Sequence, residues 1–238
     1  MTGTLINVAG IIIGGALGTI LGNRLPERVR QTVVSVLGLF TLAYGLQLFL
    51  QTSNSLIVLG SLMVGVLLGE WWQVENGLKK LGEWLQRRLV RQGEAGAQSL
   101  FIKGFVTSSL VFAIGPVAIL GSIQDGMTGD FSLLAVKSVL DAFAALAFSS
   151  SLGVGVIFSS LVILVYQGSI SLLANQVQAL VSDAMMTEMI AVGGVLLMAI
   201  AVGNLLELRP IRTGSFLPAL LVAPILVALL GWLGVAIP

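Results

Sequence analysis

The chain has 238 residues, 56% of them hydrophobic and only 10% charged, with a net charge of +1 and a mean hydropathy of +1.02. Soluble domains carry about 25% charged residues, so this composition cannot cover a water-facing surface and reads as a polytopic helical membrane protein. The absence of Cys and His excludes disulfides, thiolate sites and iron–sulfur clusters, and removes the commonest general base, transition-metal ligand and pH sensor, while the near-neutral charge argues against a nucleic-acid partner.

In chain order, the first element is Thr4 to Asn23, a stretch without charge. At about 20 residues it is long enough to cross a bilayer. Gly10, Gly14, Gly18 and Gly22 are four apart and so share one helical face, where another helix backbone can approach closely. The first charge is Arg24 and the apolar run is too long for a cleavable signal, so the segment is read as mature structure. A second helix is expected over Gln31–Leu50 and a third over Leu56–Trp72, the latter with Gly65 and Gly69 at the same spacing and Trp71-Trp72 as an interfacial anchor. The polar interval that follows holds an amphipathic cytoplasmic connector, about 74–98. Val74, Leu78, Leu81, Leu85 and Leu89 fall on one face, with Lys79, Lys80, Arg87, Arg88 and Arg91 mostly opposite. That pattern suits a helix lying on an anionic membrane surface, and equally a solvated connector.

A fourth helix, Leu100–Ile114, is stopped by Gly115-Pro116, and an irregular stretch is expected from there to Asp130. The apolar run Leu133 to Ala174 is too long for one span and divides at Ser149-Ser150-Ser151, Gly153 and Gly155 into a fifth and a sixth helix. A loop over Asn175–Glu188 leads to a seventh, Met189–Leu206, and an eighth covers Phe216–Ala236. The expected fold is all-α: a single integral-membrane domain over 1–238, a transmembrane bundle of about eight spans (7–8), with a broken or re-entrant segment near 115–130. Eleven of the twelve Lys and Arg then lie in the loops after helices one, three and seven or, for Lys103, in the first turn of the helix that follows. By the positive-inside rule this places those loops in the cytoplasm and the N-terminus outside. Tyr44-Gly45-Leu46-Gln47-Leu48 and Val202-Gly203-Asn204-Leu205-Leu206 share a pattern that fits either an internal duplication or chance similarity.

Ionisable residues inside a membrane are costly, so each is a functional candidate. Glu70 and Glu207 read as interfacial, and Asp183 and Glu188 as solvated in an external loop. What remains clusters centrally. Gly115-Pro116 breaks a helical ladder within an apolar stretch that continues to Gln124 and Asp125, and broken helices hold substrate sites in many transporters. Lys137 and Asp141 are four apart and can pair along one helical face, with Ser138 three residues from Asp141. The competing reading is a proline kink followed by an external loop, and a Lys that snorkels to the interface with Asp141 as its compensation. No phosphate loop, zinc spacing, nucleophile elbow or redox motif occurs, so neither an ATP-driven pump nor an enzyme is expected.

Gly115-Pro116-x-Ala118-Ile119-Leu120-Gly121-Ser122-Ile123-Gln124-Asp125-Gly126, followed by Lys137-Ser138-x-x-Asp141, resembles the central signature of the bacterial membrane family called domain of unknown function 554, or YqgA-like. Gly3-Thr4-x-x-Asn7 and Phe216-Leu217-Pro218-Ala219-Leu220 also match. The resemblance covers essentially the whole chain and implies its fold and its location, the bacterial inner membrane. Lys137 to Ala144 is also somewhat similar to small cation exporters of the manganese and amino-acid efflux type, which is analogy alone.

The expected function is a small secondary transporter or channel for a cation or small polar solute, without a cofactor. Asp141 and Asp125 would supply charged oxygen ligands, Gln124 and Ser138 neutral ones, and Lys137 a tethered counter-charge. Which metal, if any, is bound stays open. The alternative is a membrane scaffold in which Lys137 and Asp141 only fix helix register. The expected partners are the lipid bilayer, a small ion or solute, and further copies of the chain packed through glycine faces.

Overall fold

The computed structural model describes residues 1–22, 26–89, 95–114 and 116–233. Among these residues there is no strand. The helices are α1 (Thr2–Gly22), α2 (Glu27–Phe49), α3 (Ser55–Trp71), α4 (Val74–Leu89), α5 (Ala95–Ala113), α6 (Pro116–Thr128), α7 (Ser132–Leu152), α8 (Gly155–Leu172), α9 (Ala174–Leu180), α10 (Asp183–Ile200) and α11 (Ala219–Trp232). A π-helical turn, Ala201–Leu205, extends α10, and a 3₁₀ turn, Thr213–Phe216, precedes α11. Six helical stretches among the described residues are long and apolar enough to cross a membrane, and eight are if each of two bent pairs is one span. The fold is the all-α polytopic bundle that the apolar runs predict.

Two segments differ from the sequence reading. The stretch after Gly115 is not irregular: Pro116 opens α6. Proline needs no amide partner in a first helical turn, so the residue that ends one helix can begin the next. Gly115 itself lies outside the described residues, while the axes of Ser99–Ala113 and Val117–Thr128 differ by 63°. The loop 175–188 is also largely helical. It contains α9 and the start of α10, which begins at Asp183 with Ser182 as its N-cap, accepting from the Met185 amide.

Contacts divide the chain into two compact units. The first comprises Met1–Leu37 and Leu78–Val177. Its centre is the parallel pair α1 and α7. A Cβ at Gly14, Gly18 or Gly22 would fall on the carbonyl oxygen of Ala142, Leu146 or Ser150 in turn, and one at Gly10 would lie 3.0 Å from that of Ser138. Each step of four along α1 matches a step of four along α7, so the two backbones touch for three turns. Only glycine permits this approach. The glycine face is therefore filled from within the chain, and contact between copies would need another surface. α8 joins the pair, with Gly15 against Ile157.

The second unit comprises Gly38–Gly77 and Gln178–Pro238. Here α3 runs antiparallel to the α11 region, with Gly65 against Ala219 and Gly69 against the Ser215 carbonyl. The C-terminal half of α2 meets α10 where Gly45 and Gly194 face each other's carbonyl groups.

Candidate functional site

In the first unit, α7 is inverted relative to a soluble helix. Val136, Val139, Leu140 and Phe143 are exposed, whereas Lys137, Ser138 and Asp141 are buried. Lipid accounts for the apolar outer face, and the charged groups turn to the bundle interior, where they can be partnered. Lys137, 7% exposed, pairs with Asp141, 8% exposed. Their spacing of four residues puts them on one face of the helix.

Three other helices complete the site. Asn7 of α1 donates through one side-chain nitrogen to Asp141 Oδ2 at 3.0 Å and to Gln167 Oε1 of α8 at 3.1 Å. Both amides are 0% exposed. Lys137 Nζ also donates to the carbonyl oxygen of Phe112, near the end of α5, at 3.0 Å. The helical partner of that carbonyl would be the amide of residue 116, and Pro116 has none. The Gly-Pro break thus frees the acceptor that takes the Lys137 ammonium. The sequence singled out the break and the Lys–Asp pair separately, and the structure joins them.

The remaining candidates lie elsewhere. Ser138 donates to the Leu134 carbonyl of its own helix at 2.6 Å. Gln124 donates to Asp130 at 2.6 Å on the exposed turn before α7. Asp130 is held below the usual carboxylate range first by the Ser132 backbone amide, then by the Ser132 side chain and, more weakly, by Gln124, against a small opposing effect of burial. Asp125 is buried at the N-terminal end of α1, where its Oδ2 accepts from the Gly3 amide at 3.0 Å and pairs with the Met1 ammonium at 3.1 Å. It therefore caps α1 and lies about one helical turn from Asn7.

Sequence reasoning missed Asn7 and Gln167 as members of the site. The available signal was a lone amide in each of two otherwise apolar helices, since a side-chain amide at that depth must find a partner. It also misplaced Glu188. That residue is not solvated but 1% exposed, because α10 begins well before the expected Met189. Glu188 accepts from Thr52 Oγ1 at 2.6 Å and from the Ser53 and Asn54 amides at 2.9 and 3.1 Å. It secures the N-terminus of α3 much as Asp125 secures that of α1. Glu70, near the end of α3, pairs with Arg212 at 2.8 Å and accepts from Ser215 at 2.8 Å.

Among the described residues no group of three or more acidic side chains gathers. A cation at Asp141 would accordingly rest on one carboxylate and neutral oxygens: the Phe112 carbonyl, Gln167 Oε1 and Asn7 Oδ1, the last of which has no hydrogen-bond partner among the described residues. This is a hard, low-charge oxygen set.

The family model described as "Protein of unknown function (DUF554)" matches residues 2–228. Over 231 residues the chain is 33% identical to the Escherichia coli (strain K12) protein described as uncharacterized protein YqgA, covering 97% of this chain and 98% of that relative. Over 231 residues it is 26% identical to the Bacillus subtilis (strain 168) uncharacterized membrane protein YdfK, covering 95% and 96%. No solved structure matches. With nearly its whole length matched and its helices apolar enough to span a bilayer several times, this multi-pass membrane protein belongs to the DUF554 family.

Proposed function

We propose that the protein is a small secondary transporter or channel that passes a cation or small polar solute through a site centred on Asp141. The observation that carries this reading is the buried Lys137–Asp141 pair, which draws groups from α1, α5, α7 and α8 and uses a carbonyl freed by a helix break. Lys137 occupies the place that a cargo cation would take on Asp141, so it acts as a tethered competitor that the cargo displaces. The protein works in the bacterial inner membrane with its N-terminus outside, as an assembly of like chains whose contacts avoid the filled face of α1. Flux in proteoliposomes, screened over monovalent and divalent cations and small polar solutes, tests the reading. Transport above empty vesicles supports it, and its loss in Asp141→Asn assigns the site.

A second reading has its own support. Lys137 has two acceptors and both members of the pair are buried, which also suits a scaffold whose ion pair sets helix register. Under that reading, joint apolar replacement of the pair leaves both the fold and the cellular phenotype intact.

A further inference from the structure

Five buried polar side chains beside the Asp141 site each carry an atom with no hydrogen-bond partner among the described residues: Thr4 Oγ1, Asn7 Oδ1, Gln167 Nε2, Ser171 Oγ and Asp125 Oδ1. They are not scattered. Thr4 and Asn7 are three apart on α1, and Gln167 and Ser171 four apart on α8, so each pair lies along one face of its helix. The two faces meet at two levels. At the deeper level Asn7 donates to Gln167 and to Asp141. At the shallower level Asp125 accepts from Gly3, the neighbour of Thr4, and a Cβ on the adjacent Gly126 would fall on the Ser171 carbonyl. Beyond Asp125, residues 126–130 are all exposed.

A buried polar atom without a partner is costly, and five at one place are not sustained without something to bond to. Hydroxyls and amides with a carboxylate at each end supply both donors and acceptors, as a bound water requires. We propose that these five side chains hold a short file of water that leads from the Asp125 end of the bundle to Asp141, and that only a water-sized cation travels it. The file rests on the reading of Asp141 as a cation site, and it narrows the cargo from small polar solutes to small cations. The size limit follows from the lining. Thr4, Asn7 and Gln167 are fully buried, and α1 cannot shift to widen the file because the glycines that continue the same face are packed directly on the α7 backbone.

The absence of native cysteine permits a direct test. Thr4→Cys and Ser171→Cys keep small side chains on the file, and Ala145→Cys places a thiol at a fully buried apolar position of α7. Each variant in membranes is exposed to Ag⁺, which replaces the thiol proton and is close in size to a small monovalent ion, and separately to a bulky quaternary-ammonium thiosulfonate. Free thiol is then counted with a maleimide after denaturation. The expected result is loss of maleimide labelling at positions 4 and 171 after Ag⁺, none at 145, and no loss at any position after the bulky reagent. Labelling that survives Ag⁺ at 4 and 171 as fully as at 145 overturns the file, and loss after the bulky reagent overturns the size limit. If one variant expresses poorly, the other reads the same file. The labelling is independent of flux: silent thiols in a protein that transports remove only the file, whereas wild-type protein without flux removes the function it serves.

Discussion

Asn7 bridges two groups through one side-chain nitrogen, and its removal leaves the Gln167 oxygen without its donor and Asp141 with one fewer. Asn7→Leu fits the helix and the lipid phase yet is expected to destabilise by roughly 1–3 kcal/mol, the cost of orphaned buried acceptors. Thermal unfolding in detergent checks this, and an unchanged midpoint would remove Asn7 from the network. The same logic separates two carboxylates that look alike in sequence. Glu188 is saturated by one hydroxyl and two backbone amides, whereas Asp183 is exposed at the start of α10. Glu188→Ala is expected to lose about 1–3 kcal/mol and to speed amide exchange at Ser53 and Asn54. Asp183→Ala should cost less than about 1 kcal/mol, the scale of an acidic side chain near a helix N-terminus. Equal losses, or unchanged exchange at 53 and 54, would contradict the clamp.

At the level of elements, glycines at helical spacing are not equivalent. A Cβ at Gly14 or Gly18 meets carbonyl oxygen and has nowhere to move, whereas one at Gly60 meets only the tip of Leu226 at 3.5 Å. Gly14→Leu and Gly18→Leu should lower the melting temperature and yield sharply, while Gly60→Ala should match wild type, helped by the better helix propensity of alanine. Leu21→Ala should also stay close to wild type, since Leu21 is exposed. Wild-type melting of Gly14→Leu would refute the close packing of α1 on α7. The eight apolar runs were legible because span length and charge exclusion are local properties. What was not legible turned on punctuation with two meanings. Gly115-Pro116 reads as a stop, yet proline also starts helices, and Ser182 reads as loop, yet it caps α10.

Over the whole chain, the legible part is threading and the illegible part is partnership. Eight spans, whichever side the N-terminus faces, require α1 and α7 to run the same way and α3 and α11 opposite ways, and the glycine registers in the two units have those senses. The basic loops then select the side. Impermeant thiol labelling of Arg87→Cys should succeed only in opened cells, and reaction in intact cells would overturn the orientation. By contrast, Asn7 meets Asp141 across 134 residues and Gln167 across 160. One sequence carries no signal of such pairings beyond the demand that a buried amide be satisfied. The sequence could therefore nominate Lys137 and Asp141, but not the two amides that join them to α1 and α8.

Under the proposed function Asp141 is a working site and not merely the partner of Lys137. Breaking a buried pair on one side costs roughly 3–5 kcal/mol, whereas replacing both members with apolar side chains is often neutral. Lys137→Met combined with Asp141→Leu therefore separates stability from function. The most direct measurement is cation flux in proteoliposomes holding this double variant, compared with wild type at matched amounts of folded protein. A cation site at Asp141 predicts a protein that melts like wild type and carries no flux. Wild-type flux through the double variant would contradict it.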